Sequence, residues 1–198
     1  MTKPDRATTG DRTATRDKER TRRAILDAAE AVFTERGANV ALADIAAAAG
    51  VTKSGLMHHF PHREALVNGV TEHILTRLHE EVRAQIDLSE NRPGKFTRAY
   101  IRAFTGDSEY VKRVLAPTSL ITTLGTSPER EALYERDARI LADAFAADGL
   151  PHTRVLLIRY ATEGLAVAAA SPYLSDEDLE IARTELLAMT EVNTPPDL

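Results

Sequence analysis

The sequence predicts an all-α protein of about nine helices. Alanine and leucine are abundant in a chain that is 43% hydrophobic, only 5% aromatic and without tryptophan. This composition favours helices that pack closely through small side chains. In most segments the apolar residues recur at every third or fourth position, which is the spacing of one face of a helix. The β-branched run 118–126 has no partner strand elsewhere and is therefore interpreted as helix or loop.

The first 18 residues are predicted to form a disordered arm, because they lack apolar periodicity and are rich in threonine, aspartate and arginine. Their basic residues suit contacts with DNA phosphates or with a minor groove. A merely solvated tail is an equally good interpretation, and the sequence leaves both open.

A first regular helix is predicted from Arg20 to Arg36, where apolar residues recur at helical spacing. Gly37 follows as a stop signal. We expect Ile25 and Phe33, together with Phe60 further along the chain, to form the core of a small N-terminal domain.

Between Val40 and Leu66 the sequence predicts a helix, a tight turn and a second helix. A short helical pattern ends at Gly50, which can adopt the positive φ that closes a helix, and Val51-Thr52 begins a new helix. The second helix has an apolar side at Val51, Leu56 and Phe60. This side is spaced to pack on the preceding helix.

The opposite side of this second helix is polar or basic. It carries Thr52, Lys53, Ser54, Met57 and His58. Short or basic groups of this kind suit phosphates and base edges rather than a protein core. The sequence therefore predicts that this face is turned outward, towards DNA.

A long fourth helix begins near Arg63. Its apolar residues recur at every fourth position for about six turns, at Leu66, Val70, Ile74, Leu78, Val82 and Ile86. Such a stripe winds slowly around the helix and contacts several neighbours. The Asn-Arg-Pro-Gly sequence of residues 91–94 then interrupts the chain.

Five further helices are predicted over residues 95–105, 109–115, 127–149, 153–170 and 175–190. Pro117 closes the second of them. Ser127 followed by Pro128 is a typical helix start, and Gly149 ends that helix. Ser175 caps the last helix, which opens with an acidic turn. Residues 193–198 are expected to fray.

The motifs Asp44-Ile45-Ala46, Ala49-Gly50-Val51-Thr52, His59-Phe60 and Arg63-Glu64-Ala65-Leu66 occur in this order, and residues 23–29 and 33–37 precede them. In these motifs the chain resembles the tetracycline-repressor (TetR) family of bacterial regulators.

Four positions depart from the family pattern: Ala41, Ser54-Gly55, Met57 and His62. Loss of a cap hydroxyl at Ala41 costs about 1 kcal/mol, and Met57 cannot donate a hydrogen bond as the family's tyrosine does. These differences affect individual contacts rather than the fold.

The resemblance implies an N-terminal three-helix DNA-binding domain with a helix-turn-helix, residues 19–64, and a C-terminal helical bundle domain for ligand binding and dimerisation, residues 65–192. It also implies a homodimer on a near-palindromic, double-stranded DNA operator. The expected DNA-binding residues are Arg22, Thr52, Lys53, Ser54, Gly55, Met57, His58 and Arg63. Lys53 and His58 are expected nearest the base edges, and Arg63 is expected to hold a phosphate.

The last two helices are apolar over more of their circumference than one partner helix covers. In the family these helices meet their symmetry mates as a four-helix bundle. The residues expected at this interface are Leu156, Leu165, Leu179, Leu186 and Leu187. An ordinary bundle within one chain is the alternative.

The family binds small molecules among the helices of its larger domain. The residues expected to line such a cavity here are Tyr100, Phe104, Tyr110, Thr122, Tyr134 and Tyr160. Each is an equally good core residue. The few aromatic residues and few candidate buried charges favour an apolar effector, and no cofactor is expected.

The net charge of −5 divides unevenly along the chain. Residues 1–63 hold 11 Lys and Arg against 8 Asp and Glu, whereas the remainder holds 14 against 22. The basic end suits DNA and the acidic body is repelled by it. There is no cysteine, no apolar run long enough to span a membrane and no hydrophobic signal-peptide centre. The sequence therefore predicts a cytoplasmic protein.

Catalytic and metal-binding functions have little support in the sequence. It contains no Gly-rich phosphate loop, nucleophile motif or zinc signature. His58 and His62 are one helical turn apart, but Pro61 interrupts the helix between them and no carboxylate completes a metal site.

Two functions from different classes fit the sequence. The first is a ligand-responsive transcriptional regulator, most simply a repressor, with activation left open. The second is a helical ligand-binding or interaction protein without sequence-specific DNA readout. This second function is favoured by Ala41, Met57 and the acidic body.

Overall fold

The computed structural model describes residues 9–116, 120 and 124–191, with side chains from Ala14 onward. Over these residues the chain forms nine α-helices and no strand, as the composition predicts. It divides into two compact units, residues 1–73 and 74–198. The predictions that concern Pro117, most of the run 118–126, and residues 193–198 lie outside the described residues.

The first unit contains α1 (Thr9–Arg36), α2 (Leu42–Ala48), α3 (Lys53–His59) and the beginning of α4 (Arg63–Ala84). Ile25, Phe33 and Phe60 are at most 2% exposed, so the predicted core of this unit is confirmed. Packing around Phe60 is tight, because a Cβ added to Gly69 would lie 2.7 Å from the Phe60 ring.

Helix α1 begins earlier than the sequence analysis expects. Residues 9–18, assigned there to a disordered arm, form its first turns, while residues 1–8 lie outside the described part of the chain. Asp17 pairs with the Arg20 guanidinium at 3.1 Å, and its carbonyl accepts a hydrogen bond from the Thr21 hydroxyl. Side-chain pairs one turn apart stabilise a helix even where it has no apolar face. A search for apolar periodicity does not detect such pairs.

The boundary between the units also differs from the expected one at residues 64 and 65. Leu66, Val67 and Val70 at the start of α4 are at most 5% exposed and belong to the first unit. His73, the last residue of that unit, is buried with its Nε2 atom 2.8 Å from Asp27 of α1. Helix α4 ends at Ala84, before Leu88, which is 85% exposed.

The second unit contains the rest of α4, α5 (Lys95–Thr105), α6 (Glu109–Leu115), α7 (Pro128–Ala146), α8 (His152–Ala169) and α9 (Asp176–Ala188). The predicted caps are present: Ser127 Oγ accepts a hydrogen bond from Arg130 N at 3.2 Å, and Ser175 Oγ accepts one from Asp178 N at 3.1 Å. Gly149 has a φ of +78°, as expected for the residue that ends α7.

Helix α5 lies at the centre of this unit and is capped from a distance. Its N-cap residue, Gly94, has no side chain to offer. The Asp148 carboxylate instead accepts hydrogen bonds from Phe96 N at 2.7 Å, Thr97 N at 2.8 Å and the Thr97 hydroxyl at 2.6 Å. A carboxylate at a helix N-terminus is favourable both as an acceptor and through the helix dipole. The loop between α7 and α8 thereby fixes the start of α5.

Replacing Asp148 with alanine is therefore expected to destabilise the protein by about 1–2 kcal/mol, the usual cost of losing a cap. Urea unfolding followed by circular dichroism measures this loss. Asp107→Ala is the matched control, since the Asp107 side chain is 99% exposed. Equal stability of the two variants would contradict the capping role.

Candidate DNA-binding surface and ligand cavity

The turn between α2 and α3 has the geometry that its residues predict. Gly50 has a φ of +67°, and Thr52 caps α3 by accepting a hydrogen bond from Gly55 N on its hydroxyl oxygen at 3.0 Å. A Cβ on residue 55 would lie 3.2 Å from that hydroxyl oxygen. Glycine at this position therefore leaves room for the cap. Ala41 is the N-cap residue of α2 and makes no side-chain cap, because alanine has no hydrogen-bonding side chain.

Helix α3 presents the predicted polar face to solvent. Thr52, Lys53, Ser54, Met57 and His58 are all exposed, and Gly55 is half-buried. On the opposite side, Leu56 is fully buried and Phe60 is 2% exposed. The structure thus brings six of the eight predicted DNA-binding residues together on one short helix and its N-cap.

The two arginines predicted to contact DNA have partners within the first unit. The Arg22 guanidinium lies over the Phe60 ring, 5.0 Å from its centroid. The Arg63 guanidinium donates hydrogen bonds to the backbone carbonyls of Ala38 and Val40, in the loop before α2. Arg63 therefore holds that loop, and its predicted contact with a phosphate stays a prediction.

His62 has a role that the sequence analysis missed. It immediately precedes α4, and its Nδ1 atom accepts a hydrogen bond from Ala65 N at 3.1 Å. The imidazole therefore caps α4 in place of a hydroxyl. The position of His62 immediately before the predicted helix is the sequence feature that could have indicated this capping role.

Positive charge gathers beside α3. Burial lowers the pKa of the His59 imidazole below its ordinary value, and the neighbouring charges of His58, Lys18 and Arg22 lower it further. The rings of His58 and His59 meet edge to face with centroids 5.8 Å apart. Lys18 and Arg22 of α1 thus lie close enough to α3 to act on His59, and the negative charge of Glu19 opposes them.

The second unit contains a partly open cavity with an empty volume of about 260 Å³. Helices α4, α5 and α7 line it with Leu75, Leu78, His79, Val82, Tyr100, Phe104, Asp137 and Leu141. Two predicted ligand-binding residues, Tyr100 and Phe104, are among them, and their rings are stacked at 4.3 Å.

Of the other four predicted ligand-binding residues, the three that the structure describes do not line this cavity. Tyr110 is buried, with Arg77 3.8 Å from its ring centroid. Tyr134 is half-buried elsewhere on α7, and Tyr160 is 61% exposed on α8. Thr122 lies outside the described residues.

The polar groups at the cavity are paired with one another. His79 Nε2 and Asp137 Oδ1 lie 2.6 Å apart. The Tyr100 hydroxyl donates to Glu163 at 2.8 Å, and Arg159 Nε donates to the same carboxylate oxygen at 2.8 Å. Burial, and then the charge of Glu163, raise the pKa of the Tyr100 phenol well above its ordinary value. Tyr100 therefore acts here as a neutral hydrogen-bond donor.

The predicted dimer-interface residues fall into two groups. Leu156 is 38% exposed, and Leu165 and Leu187 are half-buried. Leu179 and Leu186 are only 8% and 6% exposed, and Leu186 packs on Ile101 and Ile158 within the same chain. Both residues are thus buried within the single chain, and the place of Leu179 and Leu186 at a dimer interface stays a prediction.

The exposed apolar surface of α8 and α9 includes the predicted interface residue Leu156 and five residues that were not predicted at the interface. The large side chains on it are Leu156, Leu157, Tyr160, Val167, Ile181 and Met189, which are between 38% and 66% exposed. Gly164 lies on the same helix as the first four, and a Cβ added to it would meet no atom within 4 Å. This surface is named the α8/α9 face below.

Two further properties concern the described part of the chain only. No group of three histidine, cysteine, aspartate or glutamate side chains is placed to hold a metal ion there. Among these same residues, no helix combines the length and the apolar character needed to cross a bilayer.

Family comparisons match both parts of the chain. The sequence model described as "Bacterial regulatory proteins, tetR family" matches residues 25–70, which include α2 and α3. A second model, "Tetracyclin repressor-like, C-terminal domain", matches residues 94–191. Together the two models cover more than half of the chain.

One curated relative is the HTH-type transcriptional repressor LfrR of Mycolicibacterium smegmatis, which is 39% identical over 85 residues. The aligned part spans 43% of this chain and 42% of that relative's length.

Solved structures share the fold. A transcriptional regulator from Rhodococcus sp. Rha1 has a TM-score of 0.67 at 20% identity, covering 85% of this chain and 95% of its own. The structure of AibR in complex with isovaleryl coenzyme A and operator DNA has a TM-score of 0.58 at 22% identity, covering 86% and 98%. At such identities the likeness extends to the fold alone.

The lowered pKa of His59 predicts that acidification destabilises the protein. The unfolded imidazole titrates at its ordinary value of 6.5 and the folded one below it. Between these two values the unfolded state binds more protons, so stability is complete above pH 6.5 and falls as the pH drops towards the folded-state pKa. Urea unfolding at about pH 8 and about pH 5.5 should show a larger loss for the unmodified protein than for His59→Gln. The same loss in both would exclude His59 as the cause.

Proposed function

We propose, because the chain belongs to the TetR family of bacterial regulatory proteins, that it is a homodimeric, cytoplasmic transcriptional repressor released from its operator by a small molecule. One observation carries the proposal: α3 exposes Lys53, His58 and their polar neighbours while Leu56 and Phe60 anchor its other side. Members of the family bind operator DNA as dimers and bind small-molecule effectors. The curated relative is likewise described as a repressor.

In the proposed complex, α3 lies in the major groove. Lys53 and His58 contact base edges or their flanking phosphates, while the hydroxyls of Thr52 and Ser54 donate to backbone oxygens. The Thr52 hydroxyl can do so while capping α3, because the cap uses its oxygen only as an acceptor. The positive charges beside α3 add sequence-independent affinity.

The α8/α9 face supports the proposal of a homodimer. Six large apolar side chains are exposed on it, and surfaces of this kind are typical of interfaces between proteins. Two-fold pairing buries the same face of both protomers. It also presents two copies of α3 about 34 Å apart, one turn of B-DNA, so that the operator is a near-palindrome.

The cavity supports release by a small molecule. Its lining includes residues of α4, a helix that begins at Arg63 in the first unit. An effector that binds more tightly to the arrangement unable to hold DNA shifts the population towards it, with a coupling of about 1–3 kcal/mol.

A genomic-fragment pull-down with sequencing, at physiological salt of about 0.15 M, tests the regulator function. Recovery of a near-palindromic sequence is the expected result. Random fragments, or none, would instead support a helical ligand-binding protein without sequence-specific readout.

The double variant Lys53→Ala, His58→Ala is expected to lose operator selectivity while remaining a dimer, because each specific base contact contributes about 1–3 kcal/mol. Fluorescence anisotropy with operator and scrambled DNA measures the ratio of affinities. Lys112→Ala with His152→Ala removes the same residue types from the second unit and serves as the control. Retained selectivity in the α3 variant would refute the recognition-helix assignment.

Leu157→Glu is expected to dissociate the dimer, since it places a charge on the α8/α9 face, where this leucine is 66% exposed. Light scattering and sedimentation measure the assembly, and operator affinity should fall with it. Leu88→Glu makes the same change at a leucine that is 85% exposed and outside this face. A dimeric Leu157→Glu variant would place the interface elsewhere.

A further inference from the structure

The cavity has a chemical character that specifies its ligand. We propose that it binds a compact, neutral and apolar organic molecule. This inference rests on the proposed function, because it names the class of effector for the regulator.

The walls of the cavity are the first argument. Leu75, Leu78, Val82 and Leu141 contribute aliphatic surface, and the stacked rings of Tyr100 and Phe104 contribute aromatic surface. Such walls gain free energy from a ligand in proportion to the apolar area removed from water. The empty volume of about 260 Å³ includes space that is open to solvent, so the enclosed part suits a compact ligand.

The pairing of the charged groups is the second argument. Among the described residues at or beside the cavity, His79 is bonded to Asp137, and their side chains are only 17% and 19% exposed. Glu163 accepts hydrogen bonds from both Tyr100 and Arg159. Each charge at the cavity therefore already has a partner.

Among the described residues, a charged ligand consequently finds no counter-charge without a partner. It would remain unpaired in an apolar space, or it would have to break one of the existing pairs and leave a buried group without its partner. Both outcomes make binding of a charged ligand less favourable than binding of a neutral hydrocarbon. The cavity is thus selective against carboxylates, phosphates and ammonium ions.

Three ligands of similar shape test this inference: 1-methylnaphthalene, 1-naphthoate and 1-naphthylmethylammonium. Because the chain has no tryptophan, naphthalene fluorescence reports binding to the full-length protein against a background of tyrosine only. The neutral ligand is expected to bind at least about 100-fold more tightly than either charged one, the effect of an uncompensated buried charge. A charged ligand that binds within tenfold of the neutral one overturns the inference, as does a neutral ligand that does not bind.

A pair of variants on adjacent residues locates the binding site. Leu141→Phe places a larger side chain in the cavity and is expected to weaken binding of 1-methylnaphthalene at least about tenfold. Ile140→Phe makes a similar change at a residue of the same helix that is 48% exposed. It should leave the affinity within about twofold of that of the unmodified protein. Equal affinities in the two variants would show that the ligand binds elsewhere and overturn the inference. If Leu141→Phe does not fold, Leu78→Phe provides the same test from α4, where Leu78 is half-buried.

These measurements use no DNA, so the two proposals fail separately. An operator recovered from genomic fragments together with no binding of the neutral ligand refutes only the ligand class. Binding of the neutral ligand with no operator recovered refutes only the regulator function.

Discussion

The exposed face of α3 depends on two buried side chains, Leu56 and Phe60. A helix of seven residues is too short to be stable alone in water, so its packing decides both that it forms and which residues face outward. Phe60 fits against Gly69 so closely that a single methyl group there would collide with its ring. The Arg22 guanidinium covers the ring from α1. The polar face that we propose for DNA is therefore set by a hydrophobic contact on the other side of the helix.

In the second unit, the comparable constraint is the pairing of buried charge. Arg98 is 2% exposed and bonded to Glu90, Thr190 and the Pro93 carbonyl, which joins the loop before α5 to the end of α9. An unpaired ion at such a site would cost several kcal/mol. The same rule operates at the cavity, where existing pairs leave hydrocarbon as the surface offered to a ligand.

The sequence predicted those features whose cause is local. The positive φ of Gly50 and the caps at Ser127 and Ser175 depend on neighbouring residues, and the structure contains them all. Contacts between distant residues were not predictable. Arg63 bonds to carbonyls more than 20 positions away, so no short motif distinguishes this role from phosphate binding. Apolar periodicity identified the faces of α9, but not that Leu186 packs inward while Ile181 faces outward.

The apolar walls and paired charges of the cavity restrict how the proposed ligand can act on DNA binding. A neutral ligand forms no ion pair with the protein. Any difference in its affinity for the arrangements that can and cannot bind DNA must therefore come from differences in buried apolar area and fit. At about 25 cal/mol per Å², a tenfold shift of about 1.4 kcal/mol needs roughly 55 Å² more apolar contact in one arrangement than in the other. Leu75, Leu78 and Val82 of α4 line the cavity, so a small displacement of this helix alters that area directly. The beginning of α4 carries the buried Leu66 and Val70, and Gly69 between them lies against Phe60. One continuous helix therefore carries both apolar lining of the cavity and buried residues of the unit that contains the proposed DNA-binding face.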